Sequence, residues 1–138
     1  MIPRFHIAFP VHDIEWCKNF YTKIIGCSLG RESDRWVDFN LFGHQVVAHL
    51  SPDDCSVPKT NYVDDDDIPS RHFGVILTKE KWEKLRTKIH NSGVQFLIEP
   101  KIRFKDHNGE QFTFFIQDPS GNILEFKSFK NKDAIFKK

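Results

Sequence analysis

The chain lacks a disulfide framework, a cysteine-rich metal site and a membrane-spanning segment. It has three cysteines among 138 residues, and no two of them form a Cys-x-x-Cys motif. An odd number without that motif argues against structural disulfides or a thiolate zinc site. Charged residues interrupt every apolar run, so no transmembrane helix is expected. The N-terminus has no long apolar stretch of the signal-peptide kind, so we expect a cytoplasmic protein.

An excess of charge of either sign is also absent. The sequence has 20 Lys and Arg residues against 19 Asp and Glu residues, a net charge of +1. This balance gives no electrostatic reason to expect binding to nucleic acid or to an anionic membrane. The length suits one domain with a substantial core. We therefore expect a globular protein whose partner is a small-molecule substrate.

Strand and helix patterns occur twice along the chain in the same order. In the first half, the strand "FHIAFPV" precedes the helix "IEWCKNFYTKIIG", which Asp13 would cap and Gly26 would end. The strands "CSLGRES", "RWVDFNLF" and "HQVVAHL" follow. In the second half, the order is "RHFGVIL", the helix "KEKWEKLRTKIHNSG", and then "VQFLIEP", "QFTFFIQ" and "NILEFKSF".

This repetition predicts two βαβββ modules, residues 3–50 and 71–129, within a single domain of residues 1–138. Residues 51–70 would form an acidic linker loop that includes the run Asp64 to Asp67, and residues 130–138 a basic tail. The predicted fold class is α+β. We expect the paired modules to form a curved mixed sheet with the helices outside, and its concave face to be a ligand-binding cup.

Four potential metal ligands fall in the first and last strands of the two modules. His6 and His49 belong to the first module, and His72 and Glu125 to the second. We take the two pairs as equivalent in the repeat. Two histidines with one carboxylate suit divalent metals and are the ligand set of non-haem iron oxygenases. A metal would explain Glu125 in an apolar run, although Lys127, on the same strand face, is an alternative partner.

The pattern resembles the vicinal oxygen chelate superfamily, which includes glyoxalase I, extradiol dioxygenases and bleomycin-resistance proteins. The resemblance covers nearly the whole chain and rests on "FHIAFPVHDIEWCKNFYTKIIGC", "RHFGVIL" and "DPSGNILEF". It implies the glyoxalase/bleomycin resistance/dihydroxybiphenyl dioxygenase-like fold, with metal ligands at His6, His72 and Glu125. The fourth family position corresponds to His49, where glyoxalase I usually has a glutamate that also acts as a base.

Three positions depart from the patterns of these families. Extradiol enzymes tend to have a tyrosine ten residues before the carboxylate ligand, where this chain has Phe115. They also tend to have a histidine where this chain has Asp106 followed by His107. Compared with glyoxalase I, His49 replaces the glutamate, although a neutral imidazole can also act as a base near pH 7.

Three functions are compatible with this set of residues. We favour an extradiol-type dioxygenase-like oxidoreductase with iron(II) and with His49 as the catalytic base, although zinc, nickel, cobalt or manganese would also suit the ligands. The alternatives are a glyoxalase I-like lyase or isomerase, and a metal-free small-molecule-binding protein of the bleomycin-resistance kind. The short length of the domain favours a homodimer.

Overall fold

Nine β-strands and two α-helices follow one another in the computed structural model, which describes all residues 1–138. The elements are β1 (His6–Val11), α1 (Ile14–Asn19), β2 (Ser28–Glu32), β3 (Trp36–Leu41), β4 (His44–Leu50), β5 (Thr60–Val63), β6 (Asp66–Pro69), α2 (Lys79–Ser92), β7 (Ile98–Arg103), β8 (Gln111–Gln117) and β9 (Ile123–Phe129). They form two compact units. Unit 1 contains residues 1–57 and 118–122, and unit 2 contains residues 58–117 and 123–138.

Unit 1 is a four-stranded sheet with one face covered by helix. The strand order is β1-β4-β3-β2, with β1 parallel to β4 and the other pairs antiparallel. The buried ring of Tyr21 stacks against Phe9 and Phe39, with centroid distances of 5.5 and 5.0 Å. Because side chains alternate along a strand, the opposite face carries His6, Asp38 and other polar groups. This second face, called here the polar face of unit 1, includes the exposed side chains of His6, Gln45 and His49.

The predicted first helix is present, but it changes character halfway. Asp13 caps α1 by accepting a hydrogen bond from the Trp16 amide at 2.8 Å, and the segment Phe20–Ile25 continues as a π-helix to Gly26. The wider turn of a π-helix brings adjacent side chains closer to one face. Phe20 and Tyr21 are accordingly both buried.

The second segment of unit 1, residues 118–122, is held by a buried carboxylate. Asp118 accepts hydrogen bonds from the Ser120 and Asn122 amides, both at 2.9 Å, and from the Tyr21 hydroxyl at 2.8 Å. The Asn122 side chain donates to Asp118 and to the Pro10 carbonyl. Burial raises the pKa of Asp118 despite these donors. Tyr21 is thus a buried donor to a costly buried charge.

We expect Tyr21→Phe to lower the free energy of unfolding by roughly 1–3 kcal/mol at pH 7, because Asp118 loses a donor. An acid whose pKa is raised by folding stabilises the native state at low pH and loses that contribution as pH rises through the folded pKa. Losing the donor should raise the pKa of Asp118 further. The difference from wild type should therefore shrink towards pH 4, as measured by urea denaturation.

The matched control for this prediction is Tyr62→Phe. The Tyr62 hydroxyl also donates to a carboxylate, that of Asp65 at 3.0 Å, but the residue is exposed. Its removal should change stability by less than about 1 kcal/mol. An equal effect of Tyr21→Phe at both pH values would contradict the role assigned to Asp118.

Unit 2 has the antiparallel sheet β7-β8-β9, with α2 against one face. Trp82, Leu85 and Ile89 of α2 are buried, and the Trp82 indole donates to the Phe126 carbonyl at 2.9 Å. The predicted strand "RHFGVIL" forms only isolated bridges, which pair Phe73 and Ile76 in parallel with β9. The strand predicted from "VQFLIEP" begins later, at Ile98.

The prediction of a loop throughout residues 51–70 is wrong, because β5 and β6 form a hairpin there. Asp64 and Asp65 make the turn with φ values of 47° and 69°. Asp66 accepts from Lys101 at 2.7 Å and from Arg103 at 3.0 Å. Ion pairs with β7 thus order part of the acidic run.

The α+β class is confirmed. In unit 1, β1 pairs in parallel with β4, and in unit 2 Phe73 and Ile76 pair in parallel with β9. The three cysteines form no disulfide. The tail contains a short helical turn, Lys132–Ala134, in which Ala134 is buried. No helix has both the length and the apolar character needed to span a bilayer.

Candidate functional site

Two of the predicted ligands, His72 and Glu125, lie together in unit 2. The Nε2 atom of His72 is 3.3 Å from Oε1 of Glu125. On the other side of the ring, Nδ1 lies 2.7 Å from the Pro69 carbonyl oxygen. Because a carbonyl only accepts, Nδ1 carries a proton and donates it. In the neutral ring the proton therefore lies on Nδ1, and Nε2 faces the carboxylate, to which it donates only when the ring is a charged imidazolium.

Glu125 is almost fully buried and is surrounded by donors. Its Oε2 accepts a hydrogen bond from the Thr113 hydroxyl at 2.6 Å, and Lys127 Nζ lies 3.5 Å from Oε1. Burial acts to raise the pKa of Glu125, but the contacts with His72, Thr113 and Lys127 outweigh burial and lower it. The hydrogen bond to Glu125 raises the pKa of His72 against the opposing effect of burial. The carboxylate in the apolar strand is therefore charged and partnered.

The pair of residues fits a divalent metal. Histidine ligands commonly donate one ring N–H to a backbone carbonyl and bind the metal through the other nitrogen, as His72 is arranged to do. Bonds from a metal to nitrogen or oxygen are about 2.1 Å long, which places adjacent ligand atoms about 3 Å apart. The separation of 3.3 Å between the two ligand atoms meets this requirement. The second carboxylate oxygen is held by Thr113, which orients the group.

His6 lies in unit 1, at the start of β1, where it is exposed. It lines a cavity of about 420 Å³ together with Arg4, Asp38 and Gln45. In the β1–β4 register, His6 pairs with Gln45 and the two side chains share a face. Asp38 is nearly buried and has only long contacts there, to Gln45 at 3.4 Å and to Arg31 at 3.5 Å. His6 is thus accessible on the polar face of unit 1.

His49 lies farther along the same face, beside Pro10 and Trp36. It stands four residues beyond Gln45 on β4, which corresponds to roughly 13 Å along the strand. It is exposed. The structure therefore does not bring His49 next to His6, and the role of His49 as a base or fourth ligand stays a prediction.

The strand registers correct the prediction that His49 and Glu125 occupy equivalent positions in the two modules. Ile7 pairs with Val46 in unit 1 as Phe73 pairs with Leu124 in unit 2. Likewise, Pro10 pairs with His49 as Ile76 pairs with Lys127. The equivalent of Glu125 is therefore Val47, and the equivalent of His49 is Lys127. Sequence spacing assigned ten extra residues to the second module between its first and last strands, whereas the registers require twelve.

The residue at the position where extradiol enzymes tend to have a tyrosine lies beside His72 and Glu125. Phe115 is the register partner of Glu125, and its ring lies edge-on to His72 with a centroid distance of 5.2 Å. A phenyl group provides an apolar wall there and no acidic proton. His107 lies in a different region of unit 2, lining a cavity of about 480 Å³ with Glu110 and Lys130.

Two residues near the predicted ligands were missed from the sequence. Thr113 is buried against Glu125, and Gln45 is the neighbour of His6. The single hydroxyl in the aromatic strand "QFTFFIQ" was the available indication for Thr113. No group of three or more His, Cys, Asp or Glu side chains is arranged to hold a metal. The set of three ligands, His6, His72 and Glu125, stays a prediction.

Comparisons with known proteins place the chain among related folds. The family model described as Glyoxalase/Bleomycin resistance protein/Dioxygenase superfamily matches residues 5–126. A glyoxalase/bleomycin resistance protein/dioxygenase from Alicyclobacillus acidocaldarius is 31% identical, with a TM-score of 0.84 and coverage of 97% of this chain and 96% of that one. The fosfomycin resistance protein FosX from Listeria monocytogenes is 15% identical, with a TM-score of 0.67 and coverage of 97% and 98%. A virulence protein from Salmonella typhimurium is 19% identical, with a TM-score of 0.64 and coverage of 94% and 98%. No functionally curated protein was found with significant similarity.

Proposed function

Because the chain belongs to the Glyoxalase/Bleomycin resistance protein/Dioxygenase superfamily, we propose that it is a divalent-metal-dependent enzyme. Its substrate would be a small molecule that chelates the metal through two adjacent oxygen atoms. His72 and Glu125 would supply two ligands, and His6 the third. The observation that carries the proposal is the pair of ligand atoms 3.3 Å apart, with the His72 tautomer fixed by Pro69.

The surrounding residues would prepare this site before any substrate binds. The Pro69 carbonyl keeps the proton of His72 on Nδ1, and the Thr113 hydroxyl holds one oxygen of Glu125. Hydrogen bonds of this kind, made to a metal-ligating side chain, orient the side chain and raise its basicity. A bound divalent metal would supply Lewis acidity, which lowers the pKa of a chelated hydroxyl group. Phe115 would exclude water from one side of His72.

The first form of the proposal is extradiol-type dioxygenase chemistry with iron(II). Two histidines and one carboxylate are the ligand set of non-haem iron oxygenases and leave other coordination positions open. His49 would act as the base that removes a proton from the substrate, since a neutral imidazole can do so near pH 7.

The second form is a glyoxalase I-like lyase or isomerase, and Phe115 is the observation that favours it. An extradiol enzyme tends to have a phenol at this position, but the structure places a buried phenyl ring beside Glu125 and His72. A metal-stabilised proton transfer at the substrate would need neither oxygen nor that phenol. FosX, named for fosfomycin resistance, shares the fold, so fosfomycin belongs among the compounds to test.

We expect protein purified without oxygen to take up about one iron(II) ion per chain. The loaded protein is then offered catechols with oxygen, a 2-oxoaldehyde with a thiol, and fosfomycin with a thiol or water. Oxygen consumption with a catechol would support the first form. Turnover without oxygen, with nickel, cobalt or zinc in place of iron, would support the second.

Metal uptake distinguishes the two metal-dependent enzymes from a metal-free small-molecule-binding protein. A protein that retains no iron, nickel, cobalt, zinc or manganese after loading and desalting would contradict the proposed function. The metal-free binder would then be the better interpretation, with Glu125 serving as the partner of Lys127 and His72.

A further inference from the structure

Lys127 has an unusual position for a lysine in unit 2. It lies two residues after Glu125 on β9, so the two side chains share a face of the sheet. Its ammonium group is 3.5 Å from Oε1 of Glu125, and this is its one ion pair. The side chain is about one-third exposed, at 34%. An incoming molecule could therefore reach the ammonium group.

The other lysine and the arginine on this face already contact a carboxylate of β6. Lys101 and Lys127 both pair with Thr113 of β8, one from each side. Lys101 contacts Asp66 at 2.7 Å, and Arg103 contacts the same carboxylate oxygen at 3.0 Å. Lys127 is thus the cation on this face whose only charged partner is the carboxylate of Glu125.

This partner is the residue that the proposed function assigns to the metal. When the charge of Glu125 is neutralised by a metal, Lys127 has no other carboxylate to balance it. An ammonium group with three donors in a partly buried position favours a nearby anion. The equivalent position of unit 1 holds another basic residue, His49.

We propose that Lys127 binds an anionic group of the substrate, a carboxylate or phosphonate carried beside the two chelating oxygen atoms. The inference rests on the proposed function and narrows its substrate class to anionic chelators. Lys127 would be a specificity residue. It would add affinity for the anionic group without contributing to chelation itself.

The test compares chelators that differ only by a carboxylate. Iron(II)-loaded protein is titrated calorimetrically, without oxygen, with catechol, 2,3-dihydroxybenzoate and 3,4-dihydroxybenzoate. Wild type should bind at least one of the two carboxylated probes more tightly than catechol. Lys127→Met should lower the affinity for that probe roughly tenfold or more and change the affinity for catechol by less than about twofold. Lys127→Arg, which keeps the positive charge, should retain most of the preference.

The matched control is Lys130→Met. Lys130 also forms a long ion pair, in which its Nζ atom is 3.4 Å from Oε2 of Glu110. Replacing Lys130 should leave the binding of every probe unchanged. The iron content of each variant is measured first, so that loss of metal is not mistaken for loss of anion binding. Thermal denaturation confirms that each variant is folded.

The outcomes separate this inference from the proposed function. A wild-type protein that takes up no metal overturns both. A metal-loaded wild type without any preference for a carboxylated probe overturns only the role of Lys127. The same holds if Lys127→Met weakens catechol and the carboxylated probe equally, since that result means a purely structural role beside Glu125.

Discussion

Glu125→Gln should lower the affinity for iron(II) at least about a hundredfold while the protein remains folded. Loss of a contact that merely orients a ligand typically costs 10–100-fold in metal affinity, so loss of a charged ligand should cost at least as much. Glutamine keeps the size of the side chain and an oxygen that can accept from Thr113. Equilibrium dialysis with metal analysis measures the change.

The pKa of His72 shows whether Glu125→Gln changes the contact between His72 and residue 125. The pKa of His72 is raised mainly by its hydrogen bond to Glu125, so it should fall when the carboxylate becomes an amide. Titration of the histidine signals by NMR, in metal-free protein, follows this shift directly. A fall in the pKa of His72 without loss of metal affinity would mean that the pair is an ion pair and not part of a metal site.

Glu110→Gln is the control for this experiment. Glu110 is another largely buried carboxylate of unit 2, and it contacts Lys130 and the Asp106 amide. Its replacement should leave metal affinity unchanged. His6→Ala should lose the metal as Glu125→Gln does. Unchanged metal content in both the His6 and the Glu125 variants would refute the proposed ligand set.

Gly74→Ala should lower the free energy of unfolding by about 3 kcal/mol or more, the upper part of the range for overpacking. A methyl group at this position would overlap the backbone carbonyl of Glu125. A backbone carbonyl cannot avoid the overlap by a change of side-chain rotamer. Hydrogen bonds between Phe73 and Glu125, and between Leu77 and Lys127, hold the two segments together on either side. Relief of the overlap would have to break this pairing. Urea denaturation of metal-free protein measures the loss.

The comparison for this variant is Gly30→Ala. There the added methyl group would meet the Asp38 Cβ atom at 3.0 Å, so a shift of a few tenths of an ångström would accommodate it. We expect a cost of at most about 1 kcal/mol. If Gly74→Ala were no more destabilising than Gly30→Ala, the close approach of residues 73–77 to β9 would be contradicted.

Local patterns in the sequence predicted most of the regular elements. The alternation in β1, β3 and β4, the cap at Asp13 and the stop at Gly26 all depend on neighbouring residues, and the structure confirms them. The hairpin β5–β6 was missed because its order depends on Asp66 meeting Lys101 and Arg103, which are distant in sequence. No local pattern in an acidic run carries that information.

The site was predictable to the same extent. Strand alternation identified the faces of His72 and Glu125, but the register between strands depends on how each connection closes. A shift of two residues therefore went unnoticed, and it assigned to His49 the position that Val47 occupies. The partners Thr113 and Gln45 are likewise defined by register and not by spacing.

The two segments of unit 1 have a consequence for any attempt to divide the protein. A fragment ending at residue 57 would contain Tyr21 without Asp118, and its buried phenol would have no acceptor. A fragment beginning at residue 58 would carry residues 118–122 without the rest of the unit to which they belong. The repeat visible in the sequence is therefore not a pair of exchangeable cassettes. Gene fusions or half-domain swaps need to keep residues 118–122 with the N-terminal half.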